Sequence, residues 1–162
     1  MKPFRACATV LALLASAGSA QAPKPFDPVA FFTGATHGEG VLKEALKKEK
    51  RVVVDSVGRA EKDGSLILEQ KVAVQGEPVR HRRWKLRQTG PGRYSGAISD
   101  STSRVEATVA GPTVRIGYTM KGGIKVNQVL TALPGGKAVE NRTSFTKWGL
   151  KVATLTERIE KR

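Results

Sequence analysis

Beyond Thr36 the chain repeats one pattern: apolar residues at every second position in short stretches, each closed by a turn after about ten residues. The clearest stretches are Leu66-Leu68-Gln70-Val72-Val74, Val105-Ala107-Val109 and Val114-Ile116-Tyr118-Met120. A period of two puts alternate side chains on opposite faces of a strand. The breaks are Lys62-Asp63-Gly64, Gln75-Gly76-Glu77, Gly90-Pro91-Gly92, Gly111-Pro112, Gly122-Gly123 and Pro134-Gly135-Gly136. Glycine supplies the positive φ that tight hairpin turns demand. The pattern predicts strands over 36–43, 50–58, 65–74, 78–89, 93–99, 103–110, 113–121, 124–133, 138–146 and 150–159. Between 44 and 49 the reading stays open, because Ala45, Leu46 and the surrounding Glu and Lys residues also suit a surface helix.

Before the first strand, Asp27-Pro28 offers an N-cap followed by proline at the first helical position, which predicts a helical turn through Phe32. Phe26, Phe31 and Phe32 are too apolar to leave exposed and are expected to close the bottom of a core. An open meander of so many strands would twist and expose two edges, whereas a closed sheet has none. The expected fold is therefore all-β: an antiparallel up-and-down, lipocalin-like barrel of about eight to ten strands with a short N-terminal helical turn.

Residues 1–20 read as a signal peptide, with basic Lys2 and Arg5, an apolar run from Ala6 to Ala17, and then Gly18-Ser19-Ala20. The apolar run is well short of the roughly 20 residues of a membrane-spanning helix. Residues 21–25 read as a linker and 26–162 as one barrel domain. Cys7 is the only cysteine and falls within the leader, so the exported chain is expected to rely on its core rather than on disulfides, as a periplasmic domain does. Loss of Lys2 and Arg5 lowers the formal charge from +14 to +12. Such a chain favours anionic partners, and export directs that preference to lipid headgroups or membrane surfaces rather than to nucleic acid.

Several segments together resemble a bacterial envelope family, the domain of unknown function 3833. They are Phe31-Phe32-Thr33-Gly34 with Gly38-Glu39-Gly40, Gly76-Glu77-Pro78 leading to Arg83-Trp84, Tyr94-Ser95-Gly96 with Asp100, and Asn141-Arg142-Thr143 through Lys147-Trp148-Gly149 to Lys161. The stretch from Pro112 to Arg115 departs from the family pattern. The resemblance implies a lipocalin-like barrel and brings no activity with it. Family members are often lipoproteins, but Cys7 lies too early to carry the lipid, so no lipid anchor is expected here.

No catalytic constellation is legible. His37 and His81 have no metal-binding spacing, no G-x-S-x-G elbow is present, and Gly135-Gly136-Lys137 lacks the rest of a phosphate loop. Neither a catalytic residue, a metal nor a cofactor is assigned. Ser99-Asp100-Ser101-Thr102-Ser103 reads as a turn. Inside a strand, Asn141 or Arg142 is expected to hydrogen-bond within the barrel.

The most informative run is Arg80-His81-Arg82-Arg83-Trp84-Lys85-Leu86-Arg87. On a strand it splits into a face of Arg80, Arg82, Trp84 and Leu86 and a cationic face of His81, Arg83, Lys85 and Arg87. Trp84 is expected in the core, while Trp148 suits either core or rim. The leading expectation is a periplasmic barrel that binds or carries an amphipathic anionic, lipid-like ligand. Arg80, Arg82, Arg83, Lys85 and Trp84, with Arg115 and Lys125, would meet the headgroup. One alternative is a non-catalytic structural or docking protein of the envelope, its barrel filled. The other is an enzyme acting on an envelope lipid through His37, Glu39 or Asp100, which requires those groups to converge in one pocket.

Overall fold

The computed structural model describes residues 25–162; the expected signal peptide, Cys7 and all but the last residue of the expected linker lie outside the described residues. A five-residue helix, α1 (Pro28–Phe32), precedes ten strands. These are β1 (Gly34–Glu44), β2 (Lys50–Ala60), β3 (Leu66–Val74), β4 (Arg80–Gly90), β5 (Arg93–Ile98), β6 (Val105–Ala110), β7 (Thr113–Met120), β8 (Ile124–Ala132), β9 (Ala138–Lys147) and β10 (Leu150–Lys161). Each expected strand is present, with bounds within two residues of those expected. Consecutive strands pair antiparallel, and β10 pairs back onto β1 from Thr36↔Lys161 to Glu44↔Ala153, closing the barrel. That pairing settles the open stretch after residue 43: β1 continues to Glu44, and a turn rather than a helix leads into β2.

The alternation read in the sequence becomes inside and outside. Leu66, Leu68, Val72 and Val74 of β3 point inward and are buried, as are Val105 and Ala107 of β6 and Val114 and Tyr118 of β7. The intervening residues of β4, His81, Arg83, Lys85 and Arg87, are exposed on the outer wall.

α1 closes one end. Asp27 Oδ1 accepts from Ala30 N–H at 3.0 Å, capping the helix as its sequence suggests. Phe31 and Phe32 enter the core, Phe26 packs against it, and the Phe31 and Phe32 rings meet edge to face at 4.9 Å. Gly58 of β2 has no side chain because a Cβ there would strike the Phe32 carbonyl oxygen. Lys161 Nζ donates to the carbonyl oxygens of Ala30, Phe31 and Thr33 at 2.7, 3.2 and 2.9 Å, which ties the last strand to the C-terminal end of α1. The turns on this closed end span 61–65, 91–92, 111–112 and 133–137; those on the opposite end span 45–49, 75–79, 99–104, 121–123 and 148–149.

Candidate functional site

The inward faces do not meet along the axis. They enclose a cavity of about 420 Å³ that runs from Pro28 and Phe32 of the plug to Glu44, Glu77 and Arg80 at the other end. That volume lies within the range of roughly 300–1,000 Å³ usual for small-molecule sites. Most of the wall is aliphatic or aromatic, including Val54, Leu68, Leu86, Ile116, Phe145 and Leu155.

Against this wall the register assembles a polar row. Thr36 is opposite Ser56, Ser56 opposite Gln70, and Gln70 opposite Arg82, so four neighbouring strands each contribute one inward polar residue. The row starts near the plug on β1 and ends near the mouth on β4. Gln70 links it: its Nε2 donates to Ser56 Oγ at 3.2 Å and its Oε1 accepts from Trp84 Nε1 at 2.6 Å. Trp84 is buried as expected, with the Tyr118 ring edge-on to it at 5.6 Å.

Arg82 closes the row. Its Nε lies 2.9 Å from Asp100 Oδ2, an ion pair set off the hydrogen-bond axis, so Arg82 Nε and Asp100 Oδ1 are both buried without a hydrogen-bond partner. Among the described residues the Arg82 side chain makes no hydrogen bond, although it is only 17% exposed and lines the cavity. Burial pushes the Tyr118 hydroxyl up to about 12; Arg82 draws it down and Asp100 raises it. Tyr118 is therefore a neutral hydroxyl at physiological pH.

A second polar group stands on β9 and β10. Glu157 lines the cavity at 5% exposure and accepts from Asn141 Nδ2 at 3.0 Å, while Thr143 Oγ1 donates to Asn141 Oδ1 at 3.2 Å. Glu157 Oε1 has no partner. Its place exists because residue 38 is glycine: a Cβ there would overlap the carboxyl oxygen. Burial raises the Glu157 carboxyl above its ordinary range, against smaller opposing pulls from Asn141, Arg82 and His37. Asn141 thus takes the interior role expected of that pair, and Arg142 is exposed.

The mouth carries alternating charge on one side. Lys50 Nζ bridges Glu44 at 3.1 Å and Glu77 at 2.8 Å, Arg80 Nη2 donates to Glu77 at 3.1 Å, and Lys47 pairs with Glu44.

The seven residues singled out in the sequence divide by parity. Arg80, Arg82 and Trp84 line the cavity. Arg83 faces outward and pairs with Glu69 at 3.2 Å, Lys85 borders an open groove on the outside of the sheet, and Arg115 and Lys125 are exposed between inward-facing neighbours. These four do not reach the cavity, because each stands one residue off the inward period of its strand. His37 is also outside it: its Nδ1 contacts Asp55 at 2.6 Å and its Nε2 Glu39 at 3.3 Å, which raises the imidazole and lowers both carboxyls. His37 and Glu39 do not converge with Asp100 on one pocket. Among the described residues no cluster of His, Asp or Glu is arranged to hold a metal ion. Gln70 and Glu157 were not singled out, although each is a polar residue at an inward position between apolar ones, Leu68 and Val72 or Leu155 and Ile159.

The family model described as protein of unknown function, DUF3833, matches residues 7–161. The chain belongs to this family. No curated protein matches it in sequence. Among solved structures, the S-type phycobiliprotein lyase CPES from Guillardia theta is similar to this DUF3833 chain over 83% of its length and 90% of the lyase, with a TM-score of 0.65 at 8% identity. A protein of unknown function from the DUF3598 family of Nostoc punctiforme is similar over 90% of this chain and 53% of its own, with a TM-score of 0.65 at 12% identity. At such identities the likeness shows the shared fold, a lipocalin-like barrel.

Proposed function

We propose that this DUF3833 protein is a periplasmic carrier that binds one amphipathic anionic molecule, with its apolar part in the cavity and its anionic group at Arg82. The observation that carries this reading is the Arg82 guanidinium, set in the wall of a mostly apolar cavity and engaged among the described residues only by its Nε ion pair with Asp100. A carboxylate or phosphate uses guanidinium donors well, because a charge-assisted bond gains strength away from bulk water. The cavity volume favours a single acyl or isoprenoid chain over a fully enclosed two-chain lipid. A filled structural barrel accounts less well for a cavity of about 420 Å³.

The reading is tested by titrating the protein with a long-chain fatty acid and following displacement of a fluorescent acyl probe. The double variant Arg82→Gln/Asp100→Asn removes the guanidinium without leaving Asp100 unpaired. Its affinity is expected to fall by about 10- to 100-fold, the worth of a charged hydrogen bond. Arg83→Gln, on the outer wall, is expected to bind as the parent does. Equal affinity in the parent and the double variant would overturn the assignment of Arg82.

A further inference from the structure

Two described residues other than glycine adopt a left-handed backbone, Leu46 at φ 61° and Trp148 at φ 51°. Both sit at turn tips on the open end of the barrel, and both are fully or almost fully exposed, at 107% and 88%. Trp148-Gly149 forms the two-residue turn between β9 and β10 with positive φ at both positions, where asparagine followed by glycine is the favoured pair. A bulky side chain in this region is strained; an exposed leucine gains nothing from the fold in return, and the indole only a surface cation–π contact with Lys147. These two positions are thus occupied against both local preferences at once.

Both tips lie on the same rim. Ala45 N–H donates to Val152 O at 3.0 Å, which holds the β1–β2 turn beside the start of β10, the strand that the Trp148-Gly149 turn leads into and where Leu150 is itself 70% exposed. Lysines surround the patch. Lys147 Nζ lies 4.6 Å from the Trp148 ring centroid, and Lys48 and Lys151 have no acidic partner among the described residues. The nearby acids are already engaged, Glu44 by Lys47 and Lys50 and Glu49 by Lys43. The outer wall of β4 is charged, so the barrel does not place that wall in hydrocarbon.

We infer that this rim docks on an anionic lipid bilayer, with Leu46, Trp148 and Leu150 entering the headgroup region and the lysines meeting lipid phosphates. Indole, leucine and lysine together are what a membrane interface recognises: amphipathic rings sit at headgroup depth, and each nearby lysine adds attraction to a negative surface. Docking in this way sets the mouth of the cavity against the bilayer. The inference stands independently of what the cavity holds.

The test uses the chain from Gln21 onward, which contains every strand of the closed sheet and the plug. It is mixed with vesicles of phosphatidylcholine alone or with phosphatidylglycerol added, and binding is read by flotation and tryptophan emission. Trp84 lines the cavity, so the part of the emission change that Trp148→Phe abolishes is the part that reports on Trp148. The expected result is co-flotation and a blue shift with the phosphatidylglycerol vesicles only, both lost in about 1 M salt, where screening acts over about 3 Å. Leu46→Asn/Trp148→Asn is expected to weaken partitioning by about tenfold or more while its unfolding midpoint stays the same or rises, since asparagine tolerates the left-handed backbone. No binding to the anionic vesicles at low salt overturns the inference, and so does equal binding by parent and double variant. Binding to both vesicle types alike overturns the part played by the lysines.

Discussion

The two ends of the barrel differ at two turn positions. At the plugged end, the left-handed positions at 64, 92, 111, 135 and 136 are all glycine, the residue that takes this backbone at least cost. The same end buries Phe31 and Phe32, caps α1 with Asp27 and engages three carbonyls with Lys161. At the open end glycine takes the left-handed positions at 76, 122, 123 and 149, but two more are taken by Leu46 and Trp148, which stand in solvent. One end is built by local rules that favour stability. The other departs from them where the cavity opens, which is where a binding protein meets its ligand or its membrane.

The comparison is broken most severely by truncating the same kind of side chain at each end. Phe31→Ala is expected to cost about 3–5 kcal/mol in urea unfolding, because a ring at 5% exposure leaves a void among packed neighbours. Trp148→Asn, with a larger side chain removed, is expected to cost nothing. A loss of several kcal/mol at Trp148 would mean that the open end is structural too.

A smaller effect sharpens the comparison between the ends and the middle, where Glu157 sits. Its carboxyl is raised above 4.5 in the folded chain, so the fold holds a proton that the unfolded chain releases. Stability contributed by this group is complete below about pH 4.5 and declines as pH rises toward the folded value. Glu157→Gln keeps the carbonyl that accepts from Asn141 and removes the titration. The variant is expected to match the parent near pH 4 and exceed it increasingly toward neutral pH in chemical denaturation. A gap that does not change with pH would show that Glu157 stays ionised inside the barrel.

The walls of the barrel were legible in the sequence because a half-buried strand must alternate, and Val114-Ile116-Tyr118-Met120 alternates without a break. The plug was legible because Asp27-Pro28 and three phenylalanines leave few other outcomes. The stretch around Ala45 was not, since its Ala, Leu, Glu and Lys composition suits a helix; pairing of Glu44 with Ala153, far away in sequence, overrides that preference. The candidate site was legible only in part. Charge drew attention to Arg83, Lys85, Arg115 and Lys125, but strand parity sends all four outward. A polar residue inside an apolar alternation was the better signal, and it marks Gln70 and Glu157; Arg82, with Arg80 and Trp84 at the neighbouring inward positions, is marked by parity alone. How these meet depends on register, which aligns Thr36, Ser56, Gln70 and Arg82 across strands that share no local motif.

The central claim, that the cavity carries an amphipathic anion, is tested most directly by native mass spectrometry of the protein purified from its own cells, with extraction and identification of what it releases. The account predicts one molecule per chain, anionic at one end and carrying a single apolar chain, and its loss from Arg82→Gln/Asp100→Asn. A ligand-free parent, or a stoichiometric ligand with no anionic group, would contradict it.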